Sequence, residues 1–171
     1  RRGLADSKYN ERWNETMGAL KTLKNHFKIN NLTELKSSDL PQIEKLLDPL
    51  LFRRVRHIIT EQERTLESAM LLKEGKIEEF AKLLTASHNS LRDDYEVTGL
   101  ELDTIVLLLL ETGAIGARMT GAGFGGCAIA IVPKEKVEKQ APLVIDLYKK
   151  VIGYAPSFFA SDSSDGTHEL K

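Results

Sequence analysis

The stretch GARMTGAGFGGCAIAIV, from Gly116 to Val132, decides how the rest of the chain is read. Within it Gly121-Ala122-Gly123-Phe124-Gly125-Gly126 satisfies the spacing G-x-G-x-x-G. That spacing builds a dinucleotide site only when a strand enters the glycines and a helix leaves them, because the pyrophosphate rests on the helix N-terminus. Here Cys127 to Val132 is apolar and bounded by glycine and proline, the pattern of a buried strand. Ala117 to Thr120, before the glycines, is a short candidate strand. The predicted order is strand, glycine loop, strand. The dinucleotide fingerprint therefore lacks its helix, and the stretch also lacks the lysine of a Walker loop. Two roles stay open for the loop. Successive backbone N–H groups in a tight glycine turn form an anion-binding nest; alternatively, the glycines only bend the sheet.

Upstream, the chain reads as helices. Tyr9, Trp13, Met17, Leu20 and Leu23 recur at spacings of three and four and share one helix face. Asp39 and Pro41 suit the start of a short helix carrying Ile43, Leu46 and Leu47. Asp48-Pro49 is a stronger start signal, an aspartate N-cap with proline in the first turn. Its helix is predicted to reach about Lys73, with Leu51, Val55, Ile58, Leu66 and Ala69 inward, and to end at Gly75. Ile77, Phe80, Leu84, His88 and Leu91 mark a further amphipathic helix. Thr98-Gly99-Leu100-Glu101 has capping-box spacing ahead of the all-apolar run 106–110, which predicts a buried helix closed by Gly113. Downstream of the loop, Lys134 to Ile152 is predicted helical, with Val137, Ala141, Val144, Tyr148 and Val151 on one stripe and a kink or restart at Pro142. Ser157 to Ser161 reads as a last strand before a polar tail. The fold class is α+β, with helices packed on one face of a small, mostly antiparallel sheet.

Bulk properties narrow the function. The 171 residues, 42% hydrophobic, suit one domain with a real core and not two. A net charge of −1 supplies no field favouring nucleic acid or an anionic membrane. The longest apolar run, Ile105 to Leu110, is far short of the roughly 20 residues of a membrane span. The N-terminus has no secretion-signal pattern. The single cysteine, Cys127, excludes an internal disulfide framework and suits a reducing compartment. A cytoplasmic domain is expected, and a first residue Arg1 in place of methionine points to a piece of something longer.

Several residues have plain structural expectations. His88 lies on an apolar stripe and is expected to be a buried histidine satisfied by a backbone or carboxylate partner. Arg53, Arg54 and Arg56 do not share a helix face and precede Glu61 and Glu63, which predicts a solvated face with local ion pairs. Asp93-Asp94 sits near a helix end, unfavourable for negative charge, and either caps the next turn or meets a further domain. Cys127 is expected to be a small buried hydrophobe. Arg118 beside the loop is a weak phosphate candidate. No His, Cys or carboxylate set has metal-ligand spacing.

The glycine stretch also resembles the third motif of the GHMP kinase superfamily. Three more stretches are similar to the galactokinase family in order and spacing: SKYNER at 7–12, RHIITEQERT at 56–65, and SHNSLRDDYEV at 87–97 followed by ELD at 101–103. The resemblance covers almost the whole chain and implies a GHMP kinase C-terminal domain over 1–171. It implies transfer of the ATP γ-phosphoryl to the anomeric hydroxyl of α-D-galactose, with Mg²⁺. It also implies what these residues lack: the His-Thr-Asp run that grips the sugar, the serine-rich phosphate loop, and the catalytic aspartate with its arginine partner. Those belong to the family's N-terminal half. By this resemblance the chain holds no catalytic residue and no metal ligand, ATP and Mg²⁺ are held mainly by the N-terminal half, and the chain alone is folded but inactive.

Two site elements follow from the resemblance. Tyr9 matches the family's tyrosine that meets the sugar; read structurally, it is a helix-start aromatic packing on Met17. Gly121, Ala122, Gly123, Phe124, Gly125 and Gly126 either place N–H donors near the phosphates or brace the serine-rich loop. The implied partners are galactose, ATP and the enzyme's own N-terminal domain. A galactokinase-like sugar and ATP sensor in transcriptional regulation, or an N-acetylgalactosamine kinase, would share these motifs. Two positions depart from the family pattern. Trp13 stands where a second basic residue is expected, and Gly99 precedes LELD.

Overall fold

A computed structural model describes residues 2–162, with side chains from Lys8 onward; the polar tail after Asp162 lies outside the described residues. The helices are α1 (Arg2–Leu23), α2 (Leu40–Ile43), α3 (Pro49–Lys73), α4 (Ile77–Ser90), α5 (Leu100–Glu111) and α6 (Lys134–Ile152). Short 3₁₀ turns precede α2, and α4 runs on into a π-helical turn, Leu91–Tyr95. Strands β1 (Gly116–Thr120) and β2 (Cys127–Ile131) form an antiparallel hairpin with Gly116 opposite Ile131 and Thr120 opposite Cys127. The order strand, glycine loop, strand is as the sequence predicts, and no helix leaves Gly126.

The start of α3 forms for the local reason anticipated. Asp48 Oδ1 accepts from Leu50 N at 2.9 Å and Leu51 N at 3.0 Å, and Pro49 takes the first helical position, where no N–H is needed. Helix α2 opens at Asp39 with Pro41 in its first turn, as expected, but it ends at Ile43, short of Leu46 and Leu47. The Asp39 carboxylate accepts from Lys36 N at 2.9 Å and not from the helix it precedes. Two further local expectations fail. No capping box opens α5, because its N-cap is Gly99 and Thr98 falls one residue early. Helix α6 runs unbroken through Pro142. Gln140 and Val144, buried on either side of the proline, hold the helix against α5 while Pro142 faces outward.

Burial divides into three clusters. Ala19 and Leu23 of α1 pack on Val55 and Ile59 of α3, with Leu32, Leu35 and Ile43 closing the end. Val106 and Leu109 of α5 meet Ala117 of β1 and Val144 and Tyr148 of α6. Leu91, Val97, Leu102 and Met119 form the third cluster, with Phe124 and Tyr95 against it. This partition overturns several inward assignments. Tyr9, Trp13 and Met17 are exposed, because α1 turns Arg12, Ala19 and Leu23 inward. Leu66 and Ala69 are exposed, because burial on α3 is confined to Arg54–Ile59. Leu107 and Val151 are exposed as well. Among the described residues the sheet has two strands, so β2 is an edge; it is not a buried strand, and Cys127 is exposed. Ser157 to Ser161 adds no strand. The outer edge of β1 is already occupied by α4, whose Thr85 Oγ1 accepts from Ala117 N at 3.3 Å and whose His88 Nδ1 accepts from Met119 N at 3.2 Å.

That edge contact is tight. A Cβ added at Gly116 would lie 2.1 Å from the Ala81 carbonyl oxygen and 2.7 Å from Ala81 Cα, so the strand sits against α4 main chain to main chain. Gly116→Ala is expected to destabilise the chain by about 2–3 kcal/mol through overpacking. Urea denaturation checks this; an unchanged midpoint would mean that α4 and β1 are not in contact.

Two histidines are buried. His88 packs between β1 and α5, as the sequence predicts, with Nε2 3.2 Å from Asp103 Oδ1 but off the line of a good hydrogen bond. Burial holds its pKa below the usual histidine value. His57 Nδ1 lies 2.9 Å from Ser90 Oγ, and burial lowers its pKa from 6.5 to about 4. A depressed histidine pKa means that the unfolded chain binds the proton first. Stability is therefore full above pH 6.5 and falls as the pH drops towards 4, by about 2 kcal/mol at pH 5 for His57 alone. Unfolding midpoints compared at pH 7 and pH 5 test this, and a midpoint that rises on acidification would contradict it.

Candidate functional site

The site begins where α4 ends. The last carbonyls of a helix lack intrahelical partners and carry the negative end of its dipole. Here two arginines from other helices take them. Arg54 Nη1 of α3 donates to Asp94 O, Arg12 Nε of α1 donates to Tyr95 O at 2.7 Å, and Arg12 Nη2 reaches Glu96 O at 3.4 Å. Arg54 is only 1% exposed. Its Nε donates to Glu15 Oε2 at 2.7 Å and its Nη2 to Glu96 Oε2 at 2.6 Å. Burial disfavours its charge, but the bonds to Glu15 and Glu96 outweigh this and raise its pKa. The hydrogen bond from Arg54 in turn holds the Glu96 carboxyl below the usual range.

This corrects the expectation of a solvated arginine face. Arg54 is a buried three-way fork, and its partners lie on α1 and beyond α4, not at Glu61 and Glu63. Arg56 pairs with the Asp94 carboxylate, which also accepts from Ser90 Oγ at 3.2 Å, and Asp93 pairs with Arg92 at 2.8 Å. Both aspartates are thus neutralised within the chain.

The next residue carries the clamp to the glycine loop. Val97 N donates to Leu91 O at 3.1 Å, and Val97 O accepts from Phe124 N at 2.8 Å. Gly123, at φ +83°, lies against the same carbonyl; a Cβ there would sit 2.2 Å from Val97 O. Only glycine fits both that angle and that approach. Gly125 and Gly126 are exposed, a Cβ at either would meet open space, and their amides have no partner among the described residues. Arg118 is turned away from the loop. Its Nε donates to its own neighbour Met119 O at 2.9 Å and its Nη1 lies 3.3 Å from Glu61 Oε1, so it is no phosphate partner here. Burial opposes ionisation of Glu61, yet hydrogen bonds from Ser87 and Arg64 keep its pKa low.

A cleft of about 200 Å³ opens between these parts. Tyr9, Arg12 and Trp13 line it from α1, Leu91 and Tyr95 from the π turn, and Gly121, Ala122 and Phe124 from the loop. Tyr9 is 57% exposed and does not pack into a core. Lys8 Nζ lies 5.6 Å from the Phe124 ring centroid, and Tyr95 stacks on His57 at 4.5 Å between centroids. The fold thus brings Tyr9 into one cleft with Gly121, Ala122 and Phe124 of the glycine loop, while Gly123, Gly125 and Gly126 lie outside its lining. The residues that build the cleft, Arg12, Arg54, Tyr95, Glu96 and Val97, are ones that sequence reasoning missed. The only cue was an arginine run, Arg53 to Arg56, leading into RHIITEQERT, and an acidic run of opposite charge within SHNSLRDDYEV. Among the described residues no group of three His, Cys, Asp or Glu suits a metal, and no helix is long and apolar enough to cross a membrane.

Comparison with known proteins agrees with this geometry. The family description "GHMP kinases C terminal" matches residues 66–143. The chain is 50% identical to galactokinase of Enterococcus faecalis over 99% of its own length and 44% of the relative's. It is 46% identical to galactokinase of Clostridium acetobutylicum, with the same coverage. A crystal structure of Lactococcus lactis galactokinase complexed with galactose superposes with a TM-score of 0.88 at 45% identity, over 93% of this chain and 42% of that one. The chain spans less than half the length of these relatives. The motif order, the helix-backed hairpin and the matches agree: over residues 66–143 the chain is similar to the C-terminal part of the GHMP kinases, and over nearly its whole length to the C-terminal part of galactokinases.

Proposed function

We propose that this chain is the C-terminal domain of a galactokinase, in which it completes a site for ATP-dependent phosphorylation of α-D-galactose at the anomeric hydroxyl. The observation that carries this is the 50% identity to a galactokinase across 99% of the chain. The cleft supports it, because the residue that resembles the family's sugar-contacting tyrosine shares a wall with the glycine loop. Tyr9 presents a phenol that donates to or accepts from a sugar hydroxyl while its ring covers the pyranose. The glycine loop contributes open main-chain amides at Gly125 and Gly126, suited to a phosphate oxygen or to the backbone of the serine-rich loop. Phosphoryl transfer is catalysed mainly by positioning and charge stabilisation, and this domain supplies positioning.

ATP supplies the phosphoryl group and Mg²⁺ neutralises its charge. In this reading the Mg²⁺ and the nucleotide are held mainly by the N-terminal half of the enzyme. The catalytic aspartate likewise belongs to the N-terminal half in this reading, and the working compartment is the cytoplasm.

The test is an assay of the full-length protein for ATP-dependent phosphorylation of galactose beside N-acetylgalactosamine. Turnover of galactose is expected. No turnover of either sugar would favour a sensor, and turnover of N-acetylgalactosamine alone would replace the substrate. In the same protein Tyr9→Phe should raise KM for galactose by about fivefold, the cost of roughly one hydrogen bond, with KM for ATP unchanged. Gly123→Val should lower turnover far more than the thermal midpoint, because its side chain must push the loop off Val97. Wild-type kinetics in both variants would remove this cleft from the site.

A further inference from the structure

We propose that Arg54 and Glu96 are positioning residues that set the geometry of the glycine loop without touching substrate. The inference rests on the reading of that loop as part of the phosphate-side site.

Three observations carry it. First, Glu96 holds a left-handed backbone conformation, φ +54°, which favours glycine or asparagine and is disfavoured for glutamate. A side chain retained at such a position marks a constraint imposed from elsewhere. Second, the constraint is visible. The Glu96 carboxylate is held by Arg54 at 2.6 Å and Arg53 at 3.0 Å, while Arg12 and Arg54 hold the carbonyls of residues 94 to 96. Third, the very next carbonyl, Val97 O, accepts from Phe124 N at 2.8 Å and lies so near Gly123 that a Cβ there would sit 2.2 Å from it. The backbone direction at Glu96 therefore aims the Val97 carbonyl, and that carbonyl sets where Gly123 and Phe124 sit. Phosphoryl transfer is sensitive to displacements of about 1 Å in positioning groups, so loosening this clamp reaches the reaction without altering any contact to substrate.

The test uses the full-length protein with two substitutions, Glu96→Gln and Arg54→Lys. Each keeps approximate side-chain size and removes, respectively, the charge and the three-way fork. Well below the thermal midpoint, kcat is expected to fall by about tenfold or more while KM for galactose stays within about twofold, because Tyr9 is not displaced. A purely structural role would lower the midpoint and leave that split absent. Glu96→Gly separates the two directly: it relieves the backbone strain and removes the carboxylate. It is expected to lose turnover as Glu96→Gln does; restored turnover would mean that strain relief, not the ion pair, governs the loop, and would overturn the inference. Should Arg54→Lys fail to fold, the Glu96 pair decides alone, since that side chain is 43% exposed. Folded Glu96 variants with wild-type kcat beside an impaired Gly123→Val would overturn this inference and leave the reading of the loop standing. Wild-type kcat in Gly123→Val as well would overturn both.

Discussion

The cleft depends on a guanidinium held almost wholly out of water. Removing a charge of this kind from solvent costs several kcal/mol, and the cost is met only when every donor is matched. Arg54 is matched three ways: to a carboxylate on α1, to a carbonyl at the end of the π turn, and to the carboxylate of the residue that follows. Because α3 supplies the arginine, α1 one of its partners and the segment after α4 the other two, none can move far without leaving a buried charge unpaired. Arg12 repeats the device from α1, on Tyr95 O and Glu96 O.

This explains how a loop rich in glycine holds a shape. Glycines lose more conformational freedom on ordering than any other residue, and two of them at the tip make no contact that would fix them. The hairpin ladder ends at Thr120 and Cys127. Beyond it the loop is tied to the body through Val97, and Val97 is placed by the two arginines. Arg12 also lies on the same helix as Tyr9, one turn away, so a single side chain links the tyrosine's helix to the carbonyls that seat the loop. The Tyr9 side and the glycine-loop side of the cleft are registered to each other through Arg12, Arg54 and the turn between them.

Features whose causes lie within a few residues were legible in the sequence. Asp48-Pro49 marks the start of α3, and Gly121 to Gly126 between two apolar runs marks a hairpin whose order excludes a dinucleotide fold. His88 on an apolar stripe is buried with a carboxylate beside it. Features decided by distant partners were not legible. Nothing near Arg54 says that it is buried, since Glu15 and Glu96 lie 39 and 42 residues away. Tyr9, Trp13 and Met17 have core spacing, yet the face that packs is the one carrying Arg12 and Ala19, because α3 presents arginine where an apolar surface would suit the aromatics. Ser157 to Ser161 has strand composition but pairs with neither strand: α4 side chains occupy the outer edge of β1, and the open edge of β2 is left unused. Cys127 sits in an apolar run that is exposed because no third strand covers it.

The most direct measurement is amide hydrogen exchange, resolved by residue, across 119–128. If the clamp seats the loop through Val97, the Phe124 amide exchanges far more slowly than those of Gly125 and Gly126, at a rate close to that of the β1 amides. Exchange at Phe124 as fast as at its glycine neighbours would contradict the account, because the loop would then be free of the body that is said to hold it.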